Sequence, residues 1–146
     1  MLGETATMVI QQLALTGGGA DSMNSAPHRL VAVVDDDDAV RDSLRFLLEI
    51  AGYQVATFSS AIQFMREAPI DELACLILDQ HMPDQTGLQL VSQLRNSGAD
   101  DLPIALISGS PSPDMIRLAR ELRVNKVLEK PLNDDDLLVF IQHSTG

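Results

Sequence analysis

The sequence predicts an open α/β fold: a five-stranded parallel sheet with helices on both faces. Three observations lead there. Five short apolar runs alternate with five helical patterns between residues 29 and 143, and such alternation implies right-handed crossovers around a parallel sheet. The run Leu76-Ile77-Leu78 is apolar without a break and leads straight into Asp79, which suits a strand buried on both faces. Finally, several strand ends carry polar groups that would share the carboxyl edge of the sheet, where open α/β folds keep their ligand sites.

Taken in order, residues 30–34 are β-branched and apolar, hence a first buried strand. Asp35-Asp36-Asp37-Asp38 ends it. A helix follows with Val40, Leu44, Leu47 and Leu48 on one face, capped by Asp37 or Asp38 and stopped at Gly52. Residues 53–58 form the second strand. Ser59 or Ser60 opens a short helix running to about Ala68, where Pro69 stops it. Residues 73–78 are the third strand, and Pro83, Asp84 and Gly87 mark the turn into a helix carrying Leu88, Leu90, Val91 and Leu94 that closes near Gly98. Residues 103–107 are the fourth strand. The next helix holds Met115, Ile116, Leu118, Ala119 and Leu122. Val127 and Leu128 make a short fifth strand, and Asn133 caps a last helix with Leu137, Leu138, Phe140 and Ile141.

Residues 1–28 read differently. Gly17-Gly18-Gly19 among small and polar neighbours suggests a flexible leader, and 144–146 a tail. No Gly-Lys-Ser/Thr follows the glycines, so they are not a phosphate loop. Residues 5–15 fit a short apolar-faced helix, and Met23 offers an alternative start.

Composition narrows the function classes. The chain has 146 residues, 45% hydrophobic and 21% charged, with a net charge of −11, a soluble globular profile whose surface would repel nucleic acid. No apolar run reaches the length of a membrane span, and the N-terminus lacks the basic start of a signal peptide. A single cysteine, Cys75, sits in an apolar run and points to a buried strand residue in a reducing cytoplasm.

The strand ends supply the chemistry. Strand one ends in Asp35 and Asp36, strand three in Asp79, strand four in Ser108, and strand five leads to Lys130. Two carboxylates ~4 Å apart repel by about 4 kcal/mol at an effective dielectric near 20. A hard divalent cation relieves this, and Mg2+ favours a few carboxylates with retained waters. Lys130 offers a point charge and Ser108 a hydroxyl to the equatorial oxygens of a phosphoryl group. A carboxylate can itself be the nucleophile, so the set proposes phosphoryl transfer to Asp79. Each residue alone has a plainer reading: a solvated helix start for residues 35–38, a turn residue for Ser108, a surface cation for Lys130, a loop residue for His81. The convergence of several strand ends carries the proposal.

At these residues the sequence resembles the receiver domain of two-component response regulators, over about residues 29–143. Val34-Asp35-Asp36 is similar to its acidic pair, and the stretch from Leu78 through Asp79, Met82 and Pro83 to Gly87 to its phosphoacceptor loop. Ile107-Ser108-Gly109 is similar to its Ser/Thr position, and Glu129-Lys130-Pro131 to its Lys-Pro motif, usually joined by a cis peptide. The resemblance implies the flavodoxin-like (βα)5 fold with strand order 2-1-3-4-5 and a cytoplasmic signalling switch. Asp79 would be the phosphoacceptor and Ser108 and Lys130 would hold the phosphoryl oxygens. Mg2+ would be bound by Asp36, Asp79 and the His81 backbone carbonyl, with Asp35 helping through water.

The implied partners are a sensor histidine kinase or histidine phosphotransfer protein, and a downstream protein target or an output domain. The family often pairs through its fourth helix, fifth strand and fifth helix. The chain would catalyse its own phosphorylation and dephosphorylation rather than turn over a free substrate.

Two departures stand out. Val127 replaces the usual aromatic residue, so signalling is expected to use backbone shifts after strand four. Position 80, commonly apolar, is Gln, and His81 is expected to alter water access to the acyl phosphate. Two other classes fit parts of the pattern. A haloacid-dehalogenase-type phosphatase would use Asp36 as nucleophile and Asp38 as acid/base. A degenerate receiver would serve only as a binding module.

Overall fold

The computed structural model describes residues 30–145; the leader, its proposed helix and Met23 lie outside the described residues. Five parallel strands, β1 (Leu30–Val34), β2 (Gln54–Phe58), β3 (Leu73–Asp79), β4 (Ile104–Ser108) and β5 (Lys126–Glu129), form one sheet in the order β2-β1-β3-β4-β5. Between and after them run α1 (Asp38–Ile50), α2 (Ala61–Glu67), α3 (Gly87–Asn96), α4 (Pro113–Glu121) and α5 (Asp134–Thr145). A 3-10 turn, Ile70–Glu72, leads into β3. This is the flavodoxin-like topology.

Alternation along the strands sorts the core into two layers. Val31, Val33, Cys75, Ile77, Ala105 and Ile107 meet Leu44 and Leu48 of α1 and Leu137, Phe140 and Ile141 of α5. Ala32, Val34, Leu76, Leu78, Ile104 and Leu106 face α2, α3 and α4 through Phe64, Leu90, Leu94 and Ala119. All seven residues of β3 are buried, because β3 is the central strand with a helical layer on each side. Cys75 lies there with no exposed surface, and burial pushes its thiol up to about 12 despite a hydrogen bond with Ser144.

Caps fix the helix starts. Asp37 accepts from the N–H groups of Ala39 and Val40, and Ser60 from that of Gln63. Thr86 and Gln89 form a reciprocal capping box, Ser112 caps α4, and Asn133 accepts from the Asp136 N–H. The prolines and the chain turns shift some boundaries by one residue. Pro103 stays outside β4, although its carbonyl accepts from the Leu76 N–H at 2.9 Å. The Tyr53 N–H closes the end of α1 on the Leu48 carbonyl, so β2 begins at Gln54. On α4 only Ala119 is fully buried, while Ile116 and Leu118 are 39% and 43% exposed. The short helix offers the sheet a narrower apolar stripe than its sequence suggests.

Candidate functional site: an acidic cluster at the carboxyl edge of the sheet

Register carries the polar residues to one place. Val34 of β1 pairs with Leu78 of β3, so Asp35 and Asp79 each stand one residue further along adjacent strands. Asp79 pairs with Ile107, and Ser108 with Glu129, which sets Ser108 and Lys130 one step beyond on the next two strands. Parallel pairing without a break here is what turns scattered strand ends into a site.

Asp35, Asp36 and Asp79 offer carboxylate oxygens that all lie within 4.8 Å of one another. Asp35 and Asp79 are each 3% exposed, and Asp36 faces solvent. The Lys130 ammonium approaches Asp79 Oδ1 at 3.0 Å. That oxygen is buried and accepts no well-aligned hydrogen bond among the described residues. Burial raises the Asp35 pKa, and the charges of Asp79 and Asp36 add to the effect; the hydrogen bond from the Asp37 N–H at 2.9 Å and the charge of Lys130 oppose it. Burial pulls Lys130 down, but the attraction of Asp79, Asp35 and Asp36 outweighs it and the net shift is upward. Three carboxylates with one lysine thus leave excess negative charge and an under-coordinated buried oxygen. Hard oxygen donors so arranged fit a divalent cation such as Mg2+.

The Lys130-Pro131 peptide is cis, and the Lys130 N–H donates to the Ser108 carbonyl at 2.9 Å. Ser108 is fully buried; its hydroxyl accepts from the Ser110 N–H at 3.2 Å and lies 3.5 Å from His81 Nε2. Val127 sits half-buried on β5, opposite Leu106, so an aliphatic side chain stands where the resemblance led one to expect a ring.

Asp38 does not join the cluster. It is an exposed residue of the first turn of α1, paired with Arg41, and Asp134, Asp135 and Asp136 open α5 rather than end a strand. The phosphatase arrangement is therefore not assembled.

Three supporting residues carry no periodic signal in the sequence. Arg41 donates to the Asp35 carbonyl at 2.6 Å while pairing with Asp38, which braces the start of α1 against the acidic loop. Asp84 accepts from the Ile62 N–H at 3.1 Å and ties the loop after β3 to α2. Gln80, 9% exposed, accepts from the Leu88 N–H at 2.9 Å. In the sequence Asp84 shows only as a turn residue and Gln80 only as an amide at a position the resemblance makes commonly apolar; Arg41 leaves no trace.

Gly87 is needed for close approach. A Cβ there would lie 2.7 Å from the Asp79 carbonyl oxygen and 2.7 Å from Leu106 Cδ1, so backbone must move. Gly87→Ala is expected to cost about 1–3 kcal/mol in urea unfolding and to weaken Mg2+ binding, because the displaced group is the backbone of Asp79. Unchanged Mg2+ affinity in the folded variant would show that the strain relaxes into α3 instead.

The response regulator receiver domain family matches residues 31–142. The chain belongs to this family. It is 36% identical over 117 residues to the transcriptional regulatory protein FixJ of Azorhizobium caulinodans, and 34% identical over 124 residues to the response regulator protein TmoT of Ectopseudomonas mendocina. These alignments take in 80% and 85% of this chain but 54% and 56% of the relatives, so the chain spans about half the length of the curated relatives it matches. Among solved structures, the response regulator StyR is 36% identical with a TM-score of 0.72, over 80% of this chain and 58% of StyR. The chemotaxis protein CheY4 of Vibrio cholerae is 27% identical with a TM-score of 0.71, over 79% of this chain and 97% of CheY4. Among the described residues no helix is long and apolar enough to cross a membrane.

Proposed function

We propose that this receiver domain is a phosphorylation switch that accepts a phosphoryl group on Asp79. The observation that carries the reading is the buried Asp79 carboxylate with Lys130 3.0 Å from its Oδ1 and two further carboxylates beside it. A carboxylate oxygen of Asp79 attacks the phosphorus of a phosphohistidine, the P–N bond breaks, and the imidazole leaves with a proton, giving an acyl phosphate. Lys130 and the Ser108 hydroxyl receive the phosphoryl oxygens, holding charge that develops in transfer. Asp36, Asp79 and the His81 carbonyl would hold Mg2+, with Asp35 acting through water; when bound, the ion neutralises charge on the transferring group. Water attack on the acyl phosphate resets Asp79, at a rate that His81 influences from its place beside Ser108.

The phosphoryl donor is a histidine kinase or a histidine phosphotransfer protein in the cytoplasm, and the signal passes to a protein target or an output domain. Pairing through α4, β5 and α5 belongs to the same reading, and the exposed Ile116, Leu118 and Val139 on α4 and α5 support it. Intact mass after incubation with acetyl phosphate and Mg2+ tests the function. One phosphoryl group on wild type and none on Asp79→Asn is the expected result. No adduct on wild type, with beryllofluoride also failing to bind, would favour the binding-module reading.

The acidic cluster also sets a pH dependence. A carboxylate whose folded pKa is raised contributes stability below its ordinary value of 3.8 that is lost as pH rises through the folded value. Asp35 therefore weakens the metal-free fold at neutral pH, and Mg2+ offsets that only when Asp35 is ionised. Mg2+ at 100 times its neutral-pH Kd is expected to add about 2.7 kcal/mol at neutral pH and less in acid, where Asp35 takes up its proton, as read from Tm at the two pH values with and without Mg2+. An equal gain at both values would place the ion elsewhere.

A further inference from the structure

We propose that the Gln80 side chain is a positioning residue for the metal-binding loop: its amide oxygen, by capping the Leu88 N–H of α3, fixes the loop that carries His81 to the acidic cluster. The inference rests on the reading that Asp36, Asp79 and the His81 carbonyl bind Mg2+.

A helix leaves four N–H groups without intrahelical partners at its start. At α3 these belong to Thr86, Gly87, Leu88 and Gln89. Thr86 and Gln89 satisfy their own pair reciprocally, at 2.9 and 3.1 Å. The other two go to a single residue outside the helix: Gly87 N–H donates to the Gln80 carbonyl at 3.0 Å, and Leu88 N–H to Gln80 Oε1 at 2.9 Å. Gln80 is also held from the sheet side, its own N–H donating to the Ile107 carbonyl of β4 at 2.9 Å. Both ends of the loop from His81 to Gln85 thus meet at Gln80, one residue from the phosphoacceptor and one hydrogen bond from the residue before Ser108.

An apolar side chain at position 80 would keep the carbonyl bond but leave the buried Leu88 N–H without its acceptor. The first turn of α3 would then loosen, and with it the loop whose far end it closes. The other two side-chain anchors of the loop, Asp84 on the Ile62 N–H at 3.1 Å and Gln85 Nε2 on Gln93 Oε1 of α3 at 2.8 Å, are both exposed, whereas the Gln80 cap is buried. Metal ligands are held in place by such outer partners, whose loss costs about 10–100-fold in affinity.

The test is Mg2+ binding by calorimetry and amide exchange on the whole chain, comparing wild type with Gln80→Met, which keeps the length of the side chain and removes the acceptor. The expected result is about tenfold weaker Mg2+ binding by the folded variant, with faster exchange confined to the loop and the first turn of α3. Linkage gives a second measurement on wild type alone. If the cap favours the metal-competent loop, Mg2+ must favour the cap, and exchange at the Leu88 amide should slow on Mg2+ addition. This arm stands even if Gln80→Met does not fold. Lower stability of Gln80→Met with Mg2+ affinity unchanged, or a Leu88 amide indifferent to Mg2+, overturns the inference while leaving the metal reading intact. Failure of wild type to bind Mg2+ overturns both.

Discussion

Lys130→Met is expected to slow acyl phosphate formation on Asp79 by about a hundredfold or more while leaving Mg2+ affinity equal or tighter. The two halves have opposite causes. In the resting protein the ammonium lies 3.0 Å from Asp79 Oδ1 and competes with any cation for the charge of the cluster, so its removal favours the metal. In the transfer proposed above the same ammonium would face charge spreading onto the phosphoryl oxygens. Loss of one positioned donor of that kind costs about 10²–10³ in rate. Lys130→Arg is not expected to restore the rate, since a planar fork does not replace a compact point charge. Rate and affinity are read from intact mass over time with acetyl phosphate and from calorimetry. A variant that loses Mg2+ affinity in step with rate would show that Lys130 acts by holding the cluster together.

Arg95→Leu is expected to destabilise the fold by about 3 kcal/mol, measured by urea unfolding. Arg95 is 8% exposed and spends its guanidinium on four backbone carbonyls: Leu122 and Arg123 at the end of α4, and Ala99 and Leu102 in the connection to β4. Burial lowers its pKa, with the nearby Arg123 charge adding to the effect. The guanidinium remains charged at any physiological pH. Removing it strands carbonyls that lie where two helices end, and among the described residues no other side chain donates to them. Arg95→Lys should recover only part of the loss, because three donors on one atom cannot span four acceptors on two segments. A change below about 1 kcal/mol would mean that water replaces the guanidinium without cost.

These two residues mark the boundary of what the sequence discloses. Lys130 could be found because strand ends are visible: unbroken apolar runs locate the strands, and the polar residue after each run is then a candidate for the edge. The elements were legible for the same reason, since a parallel sheet covered on both faces imposes strong local patterns on every strand, whereas the strand order came only from the resemblance to receiver domains. Arg95 was not singled out. It shares a helical face with Leu88 and Val91, so its burial was implicit in the 3.6-residue period, but its acceptors lie 4 to 28 residues away and answer to no pattern. Arg41 escaped likewise, as a side chain bound to irregular backbone, and Gln80 stood out only as an amide at a commonly apolar position, without its role at the Leu88 N–H. Boundaries slipped where backbone hydrogen bonds, not side chains, decide them, as at Tyr53 and Pro103. Ile116 and Leu118 mislead in the other direction: their spacing fits a helix face, while the two-layer packing leaves them outside.

Cys75 turns the core into a clock. Its thiol is the one sulfhydryl of the chain and lies on the central strand, sealed between the sheet and the layer of α1 and α5. Thiol reagents attack the thiolate, so alkylation must wait until the layer of α1 and α5 parts from the sheet. The labelling rate then counts openings of this layer, the last turn of α5 with Ser144 included, and ignores the fraying of the loops at the carboxyl edge. Activation that travels through the loops at the carboxyl edge would leave this rate unchanged apart from any gain in overall stability. A cysteine placed on the surface could be tagged with a dye or spin probe while Cys75 stays silent beneath it.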